Sequence, residues 1–410
     1  MPGVIGLRSA LASATVASTA VLVLVSTAAG VDESGAARCS PRSVDAVIDG
    51  KRVCLRRGQR CRKRLDRQYH RYGFHCHTGR LSGGPNPDQP GPAPPAGRVV
   101  ATIPAPSFGG IEVGAGSVWI ANTTEHTVTR VDPATNEIVA TIPVGDATVD
   151  PLHGPGRLAY GHGSLWVLDG TSNCSCVHRI DPSTNRIDAT IPLGTPQTQG
   201  RIAPLGIVVR PESVWISLRH GNEDAPDGAV VRVDPATNTV VAVVGAGSNP
   251  EFGGPTRLAT ASGSVWTGVP STKSIVRIDP VSNAVVASIS GLACGEGDLV
   301  ADESGAVWVA DCTAIRRIDP MTNSFSQTIR IPGDRLSAGA RGMTIAFGSL
   351  WVQAEKLLRI DPLSGRTQGT LALTPAYGWE YSLAVGFGSL WVRQTESVLR
   401  IEPSGTTARP

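Results

Sequence analysis

From about residue 98 onward, apolar and polar positions alternate in short runs bounded by Gly, Pro, Asn or Asp. That period of two is the mark of half-buried strands, and no long 3.6-residue pattern interrupts it. One stretch shows the unit. Arg157-Leu-Ala-Tyr160 predicts a first strand (a), and Gly161-His-Gly163 a tight turn. Ser164-Leu-Trp-Val-Leu168 predicts strand b, Val177-His-Arg-Ile180 strand c, and Arg186-Ile-Asp-Ala-Thr-Ile191 strand d. Asp181-Pro-Ser-Thr-Asn185 turns c into d: Pro presets φ, Asp accepts from backbone N–H groups ahead of it, and Asn tolerates a left-handed backbone.

Two landmarks count the units. A Trp in a short apolar run occurs at Trp119, Trp166, Trp215, Trp266, Trp308, Trp351 and Trp391, and Trp379 stands outside the series. Arg-(Ile/Val)-acid-Pro places arginines at Arg130, Arg179, Arg232, Arg277, Arg317, Arg359 and Arg400. Intervals of 40 to 53 residues are those of a four-stranded propeller blade. The seventh copy is followed by no strand d, while Val99-Val-Ala-Thr-Ile103 copies strand d ahead of the first strand a. Pairing the two would close the ring and hide a sheet edge. The expected fold is all-β: a seven-bladed β-propeller closed by an N-terminal strand and preceded by a small, basic, cysteine-rich module.

The repeats resemble the YVTN family of β-propeller repeats through Val118-Trp-Ile-Ala-Asn122, Thr127-Val128 and Asp132-Pro-Ala-Thr-Asn-Glu-Ile-Val-Ala-Thr-Ile-Pro-Val-Gly145. That resemblance spans roughly residues 98–410. It implies a fold rather than an activity, since propellers serve surface, binding and enzymatic roles. More distantly the chain is similar to streptogramin lyases of the virginiamycin B type, which are seven-bladed and metal-dependent. Their repeats usually carry Trp-Phe-Thr-Glu, where this chain has Trp-Ile-Ala-Asn or Trp-Val-Leu-Asp.

Ahead of the repeats, Arg8 precedes a mostly apolar run, Ala10 to Ala29. It reads as a secretory signal over residues 1–29, with an uncleaved anchor as the alternative. Residues 30–80 form the basic module, 81–97 a Pro/Gly linker, and 98–410 the propeller. Residues 38–80 hold 13 Lys and Arg against three Asp, an excess of ten positive charges in a chain whose net charge is +3. Cys39, Cys54, Cys61 and Cys76 lack the close pairing of zinc ligands, so two disulfides are expected, with three pairings open. A zinc knuckle drawing on His70, His75 or His77 is the alternative. The expected product is a secreted or extracytoplasmic, envelope-associated monomer with no membrane span in its mature form. Its partner is an unknown ligand or cell-envelope component and not a specific nucleic acid sequence.

Turn lengths separate the ring's two faces. The a–b and c–d turns are tight, whereas the d–a and b–c connections are long and dissimilar, which is where loop-borne function concentrates. Counting back from each Trp places Arg157, Arg257 and Asp298 at the starts of inner strands, with Glu296, Arg341, Glu380 and Tyr381 beside them and His153 and Trp379 farther out. Such a set suits an anionic or sugar-like ligand, unless its members pair off and seal the mouth. The expected function is therefore binding without catalysis or cofactor. The alternative is a lyase or lactonase holding a divalent metal such as Mg on Glu296, Asp298 or Glu380, with His153 as general base. The Arg and Asp of the repeated motif occur too often for catalysis and read as ion pairs or turn caps, and the repeated Trp as filling between blades. Cys294 and Cys312 flank one blade on the long-loop face and are expected to form a disulfide. Cys174 and Cys176 could close a small ring or stay reduced, and a metal there would need ligands from elsewhere.

Overall fold

The computed structural model describes Cys39, residues 43–83 and residues 94–404, except 106–107, 149–152, 172–173, 195–201, 221–227, 248–253, 295–296, 313, 332–341, 355, 374–381 and 395. The signal segment lies outside the described residues. Two compact units divide between Pro92 and Ala93.

In the first unit, strands Val44–Ile48 and Lys51–Leu55 pair as one hairpin and Phe74–His77 and Arg80–Gly83 as another. A single-turn helix, Asp66–His70, stands between them. Disulfides join Cys39 to Cys54 and Cys61 to Cys76, which selects one of the three pairings. The cross-links do not act alone: Ile48, Leu55, Tyr69, Phe74 and Leu81 bury a small apolar core.

The second unit is the ring: seven four-stranded antiparallel sheets in the order a–b–c–d. Blade one comprises Ile111–Gly114, Ser117–Asn122, Thr127–Asp132 and Glu137–Pro143. Blade two comprises Pro155–Gly161, Ser164–Asp169, Cys176–Asp181 and Arg186–Pro192. Blade seven takes Leu383–Gly386, Ser389–Arg393 and Ser397–Pro403 from one end of the repeats and Gly97–Pro104 from the other. The closing strand runs antiparallel to its neighbour with Leu399 opposite Thr102 and Val398 opposite Ile103. The closure read from the sequence is the one the chain adopts.

Local chemistry sets the tight turns. Ala115-Gly116 and His162-Gly163 both hold positive φ at two successive residues, the two-residue hairpin turn whose twist matches the flanking strands. Asn136, Asn185, Asn238, Asn283 and Asn323 occupy the left-handed position closing the c–d turns. The preceding Asp caps each turn, as where Asp181 Oδ1 accepts from Ser183 N at 2.8 Å.

Each repeated Trp is at most 1% exposed and packs onto the next blade. Trp119 meets Leu158, Leu165 and Val167 of blade two, and Trp391 meets Val118 and Ile120 of blade one. Burying a Trp removes about 150–250 Å² from water, worth roughly 4–6 kcal/mol at about 25 cal/mol per Å². All seven indole N–H groups find an acceptor, five of them the carbonyl five residues earlier. The motif arginine lies over its own blade's Trp, 4.9 Å from the ring in the Arg130–Trp119 pair. It then reaches across to the c–d turn of the following blade: Arg130 donates to Pro182 O at 2.6 Å and Asn185 Oδ1 at 2.9 Å. The expected ion pair within the motif is replaced by this inter-blade contact, while the expected Asp turn cap is present. A bulge after the arginine in every c–d pairing bends the strand where the guanidinium must cross.

Candidate functional site

The long-loop face carries most of the polar groups singled out in the sequence, and two of the described ones, Arg257 and Asp298, are stitched from blade to blade. Arg257 NH1 donates to Leu205 O of blade three at 3.2 Å. Asp298 accepts from Leu299 N at 3.1 Å through Oδ1 and from Met343 N of blade six at 2.8 Å through Oδ2. Arg157 is half-buried in strand a of blade two, and His153 is exposed. Glu296, Arg341, Trp379, Glu380 and Tyr381 lie outside the described residues. Similar stitches recur where counting back from Trp placed the strand starts. Ser382 Oγ accepts from Ile111 N at 3.1 Å, and Thr123 Oγ1 donates to Pro155 O at 2.8 Å. Gln353 Nε2 donates to Arg393 O at 2.6 Å. Much of the mouth's polarity therefore holds the ring shut. Each Asp298 oxygen thus holds one backbone amide of the ring.

One inner-strand group was missed from the sequence. Glu112, on strand a of blade one, has its carboxyl pushed up to about 7 by burial, against a single N–H from Val113. Its signal was an acidic residue in an otherwise apolar strand, which periodicity cannot distinguish from a solvent-facing position.

A denser cluster occupies the same face of blade two. Strand b ends at Asp169, which pairs in register with Cys176 at the start of strand c. His178 follows two residues later, on the same sheet face as Cys176. Asp169 Oδ2 lies 3.1 Å from His178 Nε2. From that nitrogen the Cys176 and Cys174 sulfurs are 3.5 and 3.9 Å away. Cys174 and Cys176 are joined as a disulfide. His178 Nδ1 meets Thr190 Oγ1 at 2.9 Å, and Asp169 Oδ1 accepts from Thr171 N at 2.9 Å. Burial opposes ionisation of Asp169, but the hydrogen bonds from His178 and Thr171 outweigh it and hold the carboxyl below its ordinary range. The sequence pointed only to Cys174 and Cys176, with any metal there needing ligands from elsewhere; His178 and Asp169 are brought to the pair by the register of strands b and c.

Blade five contributes the other disulfide on this face, Cys294–Cys312. Beside it Asp311 accepts from Ala293 N and Cys294 N and pairs with Arg316. On the tight-turn face, a cleft of about 420 Å³ opens between blades five and six, lined by Asp302, Trp308, Arg317, Phe347 and Leu363. There Arg317 pairs with Asp302 of its own blade. Gln327 bridges to Pro362 O of blade six instead.

Ring, repeated tryptophans and long-loop face together define a seven-bladed β-propeller. The solved structures that share this fold include a streptogramin B lyase, at 15% identity and a TM-score of 0.57, covering 74% of this chain and 96% of that one. They also include the virginiamycin B lyase from Staphylococcus aureus, at 16% identity and a TM-score of 0.58, covering 74% and 98%. A catalytically inactive variant of the latter with Quinupristin gives the same values. At this identity the likeness is one of fold. No protein-family pattern matches the sequence, and no curated protein does.

Proposed function

We propose that this chain is an extracytoplasmic propeller that binds an anionic ligand, a carboxylate- or sulfate-bearing envelope saccharide, through its long-loop face. The observation that carries the reading is the asymmetry of charge at the mouth. Among the described strand starts, Arg157 and Arg257 supply two guanidinium groups, Arg257 with one N–H on Leu205 O, against the single carboxylate of Asp298, whose oxygens each accept a backbone amide. Guanidinium groups recognise carboxylate and sulfate through paired N–H donors. Four disulfides accord with an oxidising compartment, and among the described residues no helix is long and apolar enough to cross a membrane. The basic module would hold the protein near an anionic envelope over about a Debye length, roughly 8–10 Å.

An array of anionic and neutral glycans tests this. Retention of acidic members should weaken about tenfold for Arg157→Ala or Arg257→Ala, about 1.4 kcal/mol each, and fall with added salt. No retention, or retention unchanged in the double variant, would discard the reading. The likeness to the lyases favours a second one, in which the chain is a metal-dependent lyase or lactonase-type enzyme with its site at the channel mouth. Incubation with quinupristin and Mg should leave the compound's chromatographic position and fragmentation pattern unchanged; a converted product, even one of equal mass, would replace binding by catalysis.

A further inference from the structure

We infer that Asp169, Cys174, Cys176 and His178 form a reductively gated site for a thiophilic divalent cation, with Zn²⁺ as its best match. The four donor atoms, one from each residue, lie within 4.8 Å of one another. A tetrahedral zinc with bonds of about 2.0–2.3 Å has ligand–ligand edges of roughly 3.3–3.8 Å. The His178 Nε2 separations from Asp169 Oδ2, Cys176 Sγ and Cys174 Sγ are 3.1, 3.5 and 3.9 Å. Of the six edges of the tetrahedron, these three lie at or within about 0.2 Å of that range, the two Asp169–sulfur edges lie within 4.8 Å, and the sulfur–sulfur edge must lengthen from a covalent bond.

The surroundings are those of ligands already held for a metal. A metal-bound imidazole commonly anchors its other nitrogen, and here Nδ1 rests on Thr190 Oγ1. Asp169, fully buried, is oriented by the Thr171 amide, which leaves Oδ2 to face the cluster. A separate observation points to a polar occupant close by. His126 is only 4% exposed, and neither ring nitrogen has a hydrogen-bond partner among the described residues. It borders the same gap as Asp169: a Cβ added at Gly145 would stand 2.9 Å from Asp169 Oδ2 and 3.2 Å from His126 Nδ1. Buried polar groups are rarely left unpaired without an occupant or a function.

The disulfide itself is a poor staple. Its partners are two residues apart, against 15, 15 and 18 for the other three, and the stabilisation from closing a loop grows with loop length. Cys174 is partly exposed and so open to a thiolate. A dithiol reductant gives two electrons and two protons to the bond, leaving two protein thiols and its own disulfide. Zn²⁺ then displaces one proton from each thiol. His178 binds through Nε2 as the neutral tautomer, its proton on Nδ1 donated to Thr190. The site lies on the loop-bearing face but uses none of the mouth residues, and it stands whether or not the anion-binding reading does.

The test uses the full chain, reduced with dithiothreitol, desalted without oxygen, and titrated with Zn²⁺ against a chromophoric chelator or with Co²⁺ followed by absorption. The reduced protein should take up one more equivalent of zinc than Cys174→Ser/Cys176→Ser, and that equivalent should persist in Cys294→Ser/Cys312→Ser. Its Co²⁺ form should show tetrahedral d–d bands with thiolate charge transfer. His178→Gln should weaken the site at least 100-fold, and Thr190→Val about 10–100-fold. Equal uptake with and without Cys174 and Cys176, or a Co²⁺ spectrum lacking thiolate bands, overturns the assignment. Near-UV circular dichroism confirms that each variant is folded. Should the double cysteine variant not fold, the Cys174→Ser and Thr190→Val proteins carry the comparison.

Discussion

At the scale of single residues, opposite ionisation behaviours meet in one ring. The Glu112 carboxyl titrates at about 7 in the folded state, above its ordinary 4.5, so folding favours its protonated form. Its contribution is complete below about pH 4.5, is lost as pH rises to about 7, and is flat beyond. The Asp caps of the c–d turns behave oppositely. Backbone N–H groups hold Asp181, Asp234, Asp279 and Asp361 below their usual value, so their support is lost as pH falls below roughly 4. Urea unfolding should therefore find greatest stability near about pH 5. Glu112→Gln should gain about 1–3 kcal/mol at pH 8 and almost nothing at pH 4.5. A variant that gains equally at both values would show that the burial of this carboxyl carries no such cost. The caps were legible because Asp-Pro-x-(Thr/Ser)-Asn is read within a few residues of chain. The Glu112 shift was not, since it depends on what neighbouring elements place over that carboxyl.

At the scale of elements, the arginine of the repeated motif latches one blade to the next. Its strand position was plain from the sequence, but its partners were not. Arg130 bonds a turn 52 and 55 residues away, whereas local spacing pointed to the acid two residues on. Arg130→Ala removes stacking on Trp119, worth about 0.5–2 kcal/mol, and two hydrogen bonds of roughly 1 kcal/mol each. A loss of about 2–4 kcal/mol is expected in chemical denaturation. Arg130→Lys should recover only a minor part, because an ammonium lacks the fork that reaches both acceptors. Full recovery by Lys would reduce the latch to simple charge. The blade-two cluster was legible only as a cysteine pair, and His178 was not read as its partner. Cys174, Cys176 and His178 follow one another in sequence, but Asp169 reaches them only through the register of strands b and c.

At the scale of the whole molecule, the closing strand makes blade seven depend on both ends of the repeat array. The same seam carries an arginine latch, Arg400 to Asn136 Oδ1 at 2.9 Å, and the Trp391 contact with Val118 and Ile120. Removing residues 97–104 should uncover strand Ser397–Pro403 as an edge and drive association through it. Size-exclusion chromatography should then show oligomers or loss of soluble protein, with the monomer restored by a peptide of the deleted sequence. A truncated chain that stays monomeric with unchanged stability would mean that closure contributes little. Blade number and closure were readable because each repeat carries its own Trp and Arg. The mouth was less so, because its side chains sit where repeats differ and their partners come from adjoining blades.

Arg98 and Glu402, which meet across this final pairing, are 304 residues apart in the chain. During synthesis at about 5–20 residues per second, the first strand of the propeller to leave the ribosome waits on the order of 15–60 s for its mate. Throughout that interval Gly97–Pro104 is an unmatched β-segment beside a growing stack of half-finished sheets. Until its mate arrives, a neighbouring nascent chain could offer it the same match, so crowded polysomes are where this protein is most exposed to swapping strands with its own copies.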